Sequence, residues 1–396
     1  MTPFPLAGSA DALLEKLRDY LPALPGLTGH QLMAERSVLS RLSFQPGIAP
    51  GGTCRLLATA DSPIALNLPR DSDWELLPAL FETRDPELCR PGNWAAVTNR
   101  LAGQTDALSL VQRARQLGLA ASVTGDLLTP THVFKPDEFS ISRHRDGIPL
   151  VVDLSALWAG PLASHLLWLG GARVIKVESI SRPDGAREGS ANFYNLLNQG
   201  KQSIALDFAT AEGRDSLLAL LRAADIVIEA ARPRALRQLG IHAEAMVESQ
   251  PGKTWISITG YGRQDPAGNW IAYGDDAGVA AGLADLMFQA TGAWSFAGDA
   301  IADPLTGINT ALAAMHGWHS GDGGLQSIAL AHVAAWAVHH ELELCGREKL
   351  LGSLADWWQS VCTAGPDAAR RPITARTEAL GESNHTLLAS PGLSCC

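Results

Sequence analysis

Apolar positions cluster most densely between residues 150 and 178. Leu150, Val151, Val152 and Leu154 form an apolar run broken only by Asp153, as expected of a strand buried on both faces. Gly160-Pro161 then opens a helix whose apolar stripe is Leu162, Ala163, Leu166, Leu167 and Leu169. Pro161 suits a first helical position, where its missing N–H would be unpaired anyway. Gly170-Gly171 ends the helix, and Arg173 to Val177 supply a second strand. Strand, helix and parallel strand make the opening unit of a nucleotide-type fold, but one that begins at residue 150 rather than at residue 1.

The same alternation continues downstream. Ser203–Asp207 reads as a strand, and Thr210 caps a helix carrying Leu217, Leu218, Leu220 and Leu221. Ile226–Glu229 is a strand, followed by a short helix at Pro233–Leu239, and Thr254–Thr259 is another strand. A Gly/Ala/Asp-rich stretch runs from Tyr261-Gly262 to Asp303, then a helix from Pro304 to about Trp318. A strand near Leu325–Ile328 and a helix over Ala331–His340 complete the pattern. Strands alternating with helices of this length imply an open parallel sheet covered on both faces.

Upstream the pattern differs. Residues 1–50 read as irregular, with helical spacing only at Leu13, Leu14, Leu17, Tyr20 and Leu21. Arg55–Ala60 and Ile64–Leu68 read as short strands joined by the turn Asp61-Ser62-Pro63. Asp71 or Ser72 then caps a helix with Trp74, Leu77, Leu80 and Phe81, and further helices follow at Asn93–Leu101 and Ala107–Leu117, the last stopped by Gly118. The expected organisation is a small α+β domain over residues 1–128, a Pro/Ser/charge-rich linker over 129–149, a large α/β domain over 150–345 and a C-terminal segment, 346–396, returning to the large domain.

Composition narrows the function. The chain has 396 residues, 46% hydrophobic and 18% charged, with a net charge of −10, which fits a packed enzyme and argues against a nucleic-acid surface. No apolar run reaches the ~18 residues that span a bilayer, and the N-terminus lacks the basic start of a signal peptide. Cys54, Cys89, Cys345, Cys362, Cys395 and Cys396 have no CxxC spacing and no neighbouring His ligands, so free thiols in a reducing cytoplasm are expected, with a frayed Cys395-Cys396 tail and no metal site.

Open α/β sheets bind ligands in the loops beyond the strands' carboxyl ends, and three such loops carry candidate chemistry. Leu157-Trp158-Ala159-Gly160-Pro161 is a binding turn at a helix N-terminus or a packing turn. Tyr273-Gly274-Asp275-Asp276 is a substrate-positioning loop or a solvated turn with Asp276 as helix cap. Asp303 is an N-cap with Pro304 at the first helical position, or a carboxylate nucleophile at a positive helix end. The GxGxxG, GxSxG and P-loop patterns are missing. His339-His340-Glu341 diverge by about 100° per residue on a helix and do not suit one shared ion.

Taken in order, VVDLSALWAGPLASHLLWLGGARVIKVE, FYNLLNQGKQSIALDFATAEGRDSLLALL, ADIVIEAARPRALRQLGI, ISITGYG and IADPLTGINTALAAM resemble the family III CoA-transferases, the group of formyl-CoA transferase, carnitine CoA-transferase and α-methylacyl-CoA racemase. The resemblance runs from about Pro149 to His340. It implies an interlocked homodimer, and a covalent aspartyl intermediate at the residue matching Asp303. It also implies that CoA, as a substrate rather than a tightly bound cofactor, lies along Trp158, Ala159, Leu206, Asp207, Phe208, Ala209, Ala230, Ala231, Arg232, Ala272, Tyr273, Gly274 and Asp275. Trp158 and Asp275 would help to define the acyl and thioester pocket. Gly51 to about Thr124 resembles the family's small domain moved to the front, as in a circular permutation or a fragment of a tandem fusion.

This chain departs from the family pattern at four positions. Ser179 and Gln238 stand where family members carry basic residues that hold the CoA nucleotide, so that grip would be weaker or pass to Arg182, Arg187 or Arg232. Ala230 replaces a family Asn. Gly274 stands where the racemase branch carries a catalytic His, which favours a transferase over a racemase. The expected function is transfer of CoA from an acyl-CoA to a carboxylic acid in the cytoplasm, without nucleic acid or membrane. The alternatives are an acyl-CoA isomerase or racemase and a non-catalytic CoA-thioester binder.

Overall fold

A computed structural model describes residues 4–102, 106–124, 128–135 and 145–388. The expected tail cysteines Cys395 and Cys396, and the middle of the expected linker, lie outside the described residues.

Two helices organise residues 4–50, which the sequence reading takes as irregular. Ala7–Tyr20 is a helix whose Ala10, Leu13, Leu14 and Leu17 are fully buried, an i, i+3, i+4, i+7 stripe. Gly29–Leu39 is a second helix, capped by Thr28, whose side chain accepts from the Gln31 N–H at 3.2 Å. Both helices belong to the main hydrophobic core, packed against the Ala302–Ser320 and Leu330–Cys345 helices. Residues 4–44 therefore share their core with the large unit, although the sequence reading grouped them with the small one.

The small unit is built on an antiparallel sheet, β1 (Cys54–Leu57), β2 (Ile64–Asn67) and β3 (Ala120–Val123). Strand β3 was not anticipated, because four residues between Gly118 and the linker give too short a pattern. Helices Asp71–Glu75, Leu77–Leu80, Trp94–Leu101 and Ala107–Leu117 enclose a separate core that includes Ile64, Leu66, Trp74, Leu77, Val97 and Val111. Arg70, not Asp71 or Ser72, occupies the first cap, with its N–H donated to Asp73 Oδ2 at 2.9 Å. Gly118 ends the last helix at φ 81°, a left-handed conformation that costs glycine nothing.

The large unit holds a six-stranded parallel sheet: β4 (Leu150–Asp153), β5 (Arg173–Ser179), β6 (Gln202–Leu206), β7 (Ile226–Glu229), β8 (Thr254–Thr259) and β9 (Gly324–Ala329), in the order β6-β5-β4-β7-β8-β9. The architecture is therefore α/β, a parallel sheet accompanied by a small antiparallel one. Strand order reverses direction between β4 and β7, which opens a crevice beyond their carboxyl ends. The Gly/Ala/Asp-rich stretch is not featureless: it contains helices Gly274–Ala280 and Leu283–Thr291.

The C-terminal segment closes the edge of the sheet. Asn384 Oδ1 accepts from the Ala205 N–H at 3.0 Å and its Nδ2 donates to the Ala205 carbonyl at 2.8 Å, so one side chain pairs edge strand β6 as a neighbouring strand would. Arg371 reaches the buried Glu35 with two hydrogen bonds of 2.7 and 2.5 Å, tying this segment to the Gly29–Leu39 helix.

Candidate active site

The turn after β4 is set from below by buried charge. Asp153 accepts from Ser155 N at 2.9 Å and from Lys201 Nζ at 3.2 Å. Lys176 Nζ donates to the Ser155 carbonyl at 3.0 Å and pairs with Asp184 at 2.9 Å. Burial alone would raise the pKa of Asp153, but Lys201 and Lys176 hold it at about 2. Asp184 in turn accepts from the Leu157 N–H at 3.0 Å, holding Leu157 at φ 69°, an uncommon conformation for a branched residue. The consequence is that Trp158 turns inward. It is 2% exposed and meets Phe193 edge-on at 5.1 Å, with the Arg36 guanidinium over its face at 5.4 Å. Of the two readings of this loop, the structure shows the packing turn.

Asp303 is the second residue of the Ala302–Ser320 helix, not its cap; Ile301 holds the cap position. Its N–H donates to the Ala300 carbonyl at 2.9 Å, and its carboxylate accepts from the Gly274 N–H. One turn further on, a Cβ on Gly307 would lie 2.8 Å from the Ala159 carbonyl oxygen, so this helix approaches the Trp158 turn as closely as backbone allows. Gly274 is equally constrained: a Cβ there would stand 2.2 Å from Asp303 Oδ2 and 2.3 Å from the Ala300 oxygen. Ala300, at φ 43°, donates its N–H to Asp275 Oδ1 at 2.8 Å. The loop before Asp303 and the start of the Gly274–Ala280 helix are thus locked together.

Four carboxylates meet here. Asp275, Asp276 and Asp299 are buried, while Asp303 keeps partial access to solvent. Asp276 does cap the Gly274–Ala280 helix, as its sequence context suggested, but it is buried rather than solvated; its Oδ1 accepts from Asn67 Nδ2 and from Tyr273 N, both at 3.0 Å. Ser122 of β3 donates to the Asp276 carbonyl at 2.8 Å, so the small unit docks on this helix. Burial pushes Asp303 up to about 7, opposed by Arg36 and reinforced by Asp299 and Asp276. Burial likewise raises Asp276 to about 7, against the Asn67 hydrogen bond. Asp275 and Asp299 are also raised, by burial first, with Arg36 opposing. Arg36 Nη2 lies 2.9 Å from Asp299 Oδ1.

A second cluster is basic. Burial lowers the pKa of Arg232, and the nearby Arg234, Arg70 and Arg182 lower it further. Tyr273, raised by burial, faces Arg70 and Arg182. Arg182 follows β5, Arg232 and Arg234 follow β7, and Arg70, whose guanidinium also bonds Asp73 at 2.9 Å, comes from the small unit. Arg187 is committed elsewhere, with bonds of 3.0 and 2.6 Å to Glu178. The Ser179 hydroxyl bonds to the Ser181 hydroxyl at 2.9 Å, and Gln238 lies exposed at a helix end.

Of the residues singled out from sequence, Gly274, Asp275 and Asp303 lie among the carboxylates, Trp158 meets their partner Arg36, and Ala159 lies against the helix of Asp303; Tyr273 faces the arginines around Arg232, with Ala272 before it in the chain and Ala230 and Ala231 before Arg232. Leu206, Asp207, Phe208 and Ala209 end β6, two strands away from β4. Leu206 is buried in the core, and Asp207 caps its own turn by accepting from the Ala209 N–H at 3.0 Å. Sequence reasoning missed Arg36, Asp299, Arg70 and Arg234, none of which stands in a recognisable motif. The enclosed cavity beside Asp275 is about 10 Å³, room for roughly one water, so a larger ligand has to occupy the open crevice. Among the described residues no His/Cys/Asp/Glu group is arranged to hold a metal, no helix is long and apolar enough to cross a membrane, and Cys54, Cys89, Cys345 and Cys362 are free.

A six-stranded parallel sheet whose strand order reverses between β4 and β7, accompanied by a small antiparallel sheet, defines an α/β protein. The chain belongs to CoA-transferase family III, whose sequence model matches residues 147–345. It is 32% identical over 200 residues to a succinate–glutarate CoA-transferase of Agrobacterium fabrum, covering 46% of this chain and 50% of that one. It is 31% identical over 173 residues to an acyl-CoA transferase of Fusarium pseudograminearum, covering 40% and 38%. It is 34% identical over 151 residues to a formyl-CoA:oxalate CoA-transferase of Escherichia coli, covering 36% and 35%. The chain thus spans half or less of these curated relatives. A crystal structure of a CAIB/BAIF family protein from Brucella suis aligns with 27% identity and a TM-score of 0.44, over 58% of this chain and 60% of that one.

Proposed function

We propose that this protein transfers CoA from an acyl-CoA thioester to a carboxylic acid, with Asp303 as the covalent nucleophile. The observation that carries the reading is the partly accessible Asp303 carboxylate, which accepts the Gly274 N–H at a helix start. An Asp303 oxygen attacks the thioester carbonyl; the carbon–sulfur bond breaks and CoA leaves as thiolate, forming an acyl-aspartyl anhydride. The thiolate then attacks the aspartyl carbonyl, releasing the first carboxylate and leaving an aspartyl-CoA thioester. The acceptor carboxylate repeats the two steps in reverse order, producing the new acyl-CoA and free Asp303, with no net proton transfer. A carboxylate is a competent nucleophile only when ionised, and a pKa of about 7 leaves a substantial ionised fraction at neutrality.

The arginines around Arg232 and Tyr273 suit the phosphates of the CoA nucleotide, and replace the basic residues missing at Ser179 and Gln238. This favours substrate use over an inactive fold. The racemase alternative is disfavoured at Gly274, where any side chain collides with Asp303. We also propose that a second copy of the chain covers the crevice as a homodimer, because one chain encloses so little space beside Asp275, and that the protein works in the reducing cytoplasm that its free thiols suit.

Incubation with acyl-CoA followed by hydroxylamine should leave a hydroxamate on Asp303, detected by peptide mass spectrometry, and Asp303→Asn should abolish transfer. Full transferase activity in D303N would sink the mechanism. Incorporation of solvent deuterium at the α-carbon without an acceptor acid would favour the isomerase reading instead.

A further inference from the structure

We propose that Glu229 and Arg263 are positioning residues for CoA: together they fix the turn after β7 that presents Arg232 to the phosphates of the nucleotide. The inference rests on the reading that Arg232 meets that nucleotide.

Strand β7 ends on Glu229, and Ser257 of β8 is its register partner. Glu229 is fully buried, yet both of its oxygens are engaged. Oε2 accepts the Ala231 N–H at 2.8 Å, which turns the chain sharply as it leaves the strand. Oε1 meets Arg263 Nη1 at 3.4 Å, and the same Nη1 donates to Ser257 Oγ at 2.8 Å. The other arm of the guanidinium, Nη2, donates to Glu244 Oε1 at 2.7 Å. That oxygen also accepts from Arg237 Nη2 at 3.1 Å. Arg237 lies in the last turn of the Pro233–Gln238 helix, and Arg232 stands at the N-cap position of the same helix. One guanidinium therefore braces residues 230–238 at both ends. Its fork reaches two carboxylates and a hydroxyl at once, which the single point charge of a Lys does not.

The loop that carries Arg263 is itself tightly closed. The Gly268 N–H donates to the Gln264 carbonyl at 2.7 Å, and a Cβ on Gly268 would stand 2.4 Å from the Arg263 carbonyl oxygen. The braced segment, by contrast, keeps its own cation free. Arg232 is exposed, its charged neighbours are Arg234, Arg70 and Arg182, and no carboxylate pairs with it among the described residues. Like charges gathered in this way favour an anion between them. Binding has to order the long Arg232 side chain, and a backbone already fixed in place lowers that entropic cost. The bracing acts on the segment where it would strengthen the grip on a phosphate.

The test measures binding of CoA, and of the adenosine bisphosphate that forms its nucleotide end, by isothermal titration calorimetry on the full chain. Wild type is compared with R263Q, R263K, R232A and the double variant R232A/R263Q. R263Q should weaken both ligands about five-fold, somewhat less than removal of a charge-assisted contact. R263K keeps the charge without the fork and should lose about two-fold; it serves where R263Q does not fold. In the R232A background the R263 substitution should add nothing, because residues that act through one contact are not additive. Either R263 variant binding both ligands like the wild type overturns the proposal, as does a loss that persists in the R232A background or spares the adenosine bisphosphate. If R232A itself binds like the wild type, the nucleotide reading fails and this inference falls with it.

Discussion

Gly274→Ala adds a single methyl group where two oxygens already crowd the backbone. That carbon would lie 2.2 Å from Asp303 Oδ2 and 2.3 Å from the Ala300 carbonyl oxygen, against about 3.5 Å for comfortable contact. Each oxygen has to retreat by about an ångström. Ala300 has little freedom to do so, because its N–H is held by the buried Asp275 at 2.8 Å and its carbonyl accepts the Asp303 N–H at 2.9 Å. The carboxylate of Asp303 must therefore swing away and loosen its bond to the Gly274 N–H. Overpacking of this kind costs about 1–3 kcal/mol of stability. Displacing a reacting group by about 1 Å costs about 100-fold in rate, or about 2.7 kcal/mol of transition-state stabilisation. Melting curves and the rate of acyl-Asp303 formation by quenched-flow mass spectrometry measure the two effects separately. The expected pattern is a moderately destabilised protein with a strongly slowed acylation, distinct from D303N, which should keep the fold and lose the adduct. A G274A protein that melts and acylates like the wild type would refute this account of the site.

The buried Asp276 titrates in the opposite sense to an exposed carboxylate. Its folded pKa of about 7 exceeds the unfolded value of 3.8, so the folded chain retains a proton that the unfolded chain releases, and stability from this group falls as pH rises from about 4 to 7. D276N keeps an acceptor for Asn67 and Tyr273 but not the titration, so urea unfolding should find it gaining on the wild type across that window; a constant difference would rule this out. Asp153→Ala leaves the buried Lys201 without its ion-pair partner, while Lys176 keeps Asp184, and should cost about 3–5 kcal/mol in chemical denaturation; a loss below about 1 kcal/mol would contradict the reading. Arg232→Ala should raise KM for the acyl-CoA on the order of ten-fold with little change in kcat, the value of one charge-assisted phosphate contact. An unchanged KM would place the nucleotide elsewhere.

Strands β4, β7 and β8 were legible to within a residue, because burial on both faces writes itself locally as short runs rich in Val, Ile, Leu and Trp. The helix stop at Gly118 and the Thr210 cap, whose side chain accepts from the Gly213 N–H at 3.0 Å, are equally local. The first fifty residues were misread because the Leu13–Leu17 stripe was short and its partner helices lie some 300 residues away in sequence. Asp303 could be singled out from a family-like block, but its surroundings could not. Arg36 and Asp299 are ordinary residues in ordinary contexts, and only packing puts their side chains in contact at 2.9 Å. The same is true of Glu35 and Arg371, which are 336 residues apart and fully buried together. Sequence by itself determined the parallel α/β class, the family and the position of the candidate nucleophile, since periodicity and short blocks depend on neighbours in the chain. Tertiary structure alone decided which charges surround that nucleophile and how far its pKa rises, because desolvation and Coulomb energy depend on distances between residues that the chain order leaves far apart.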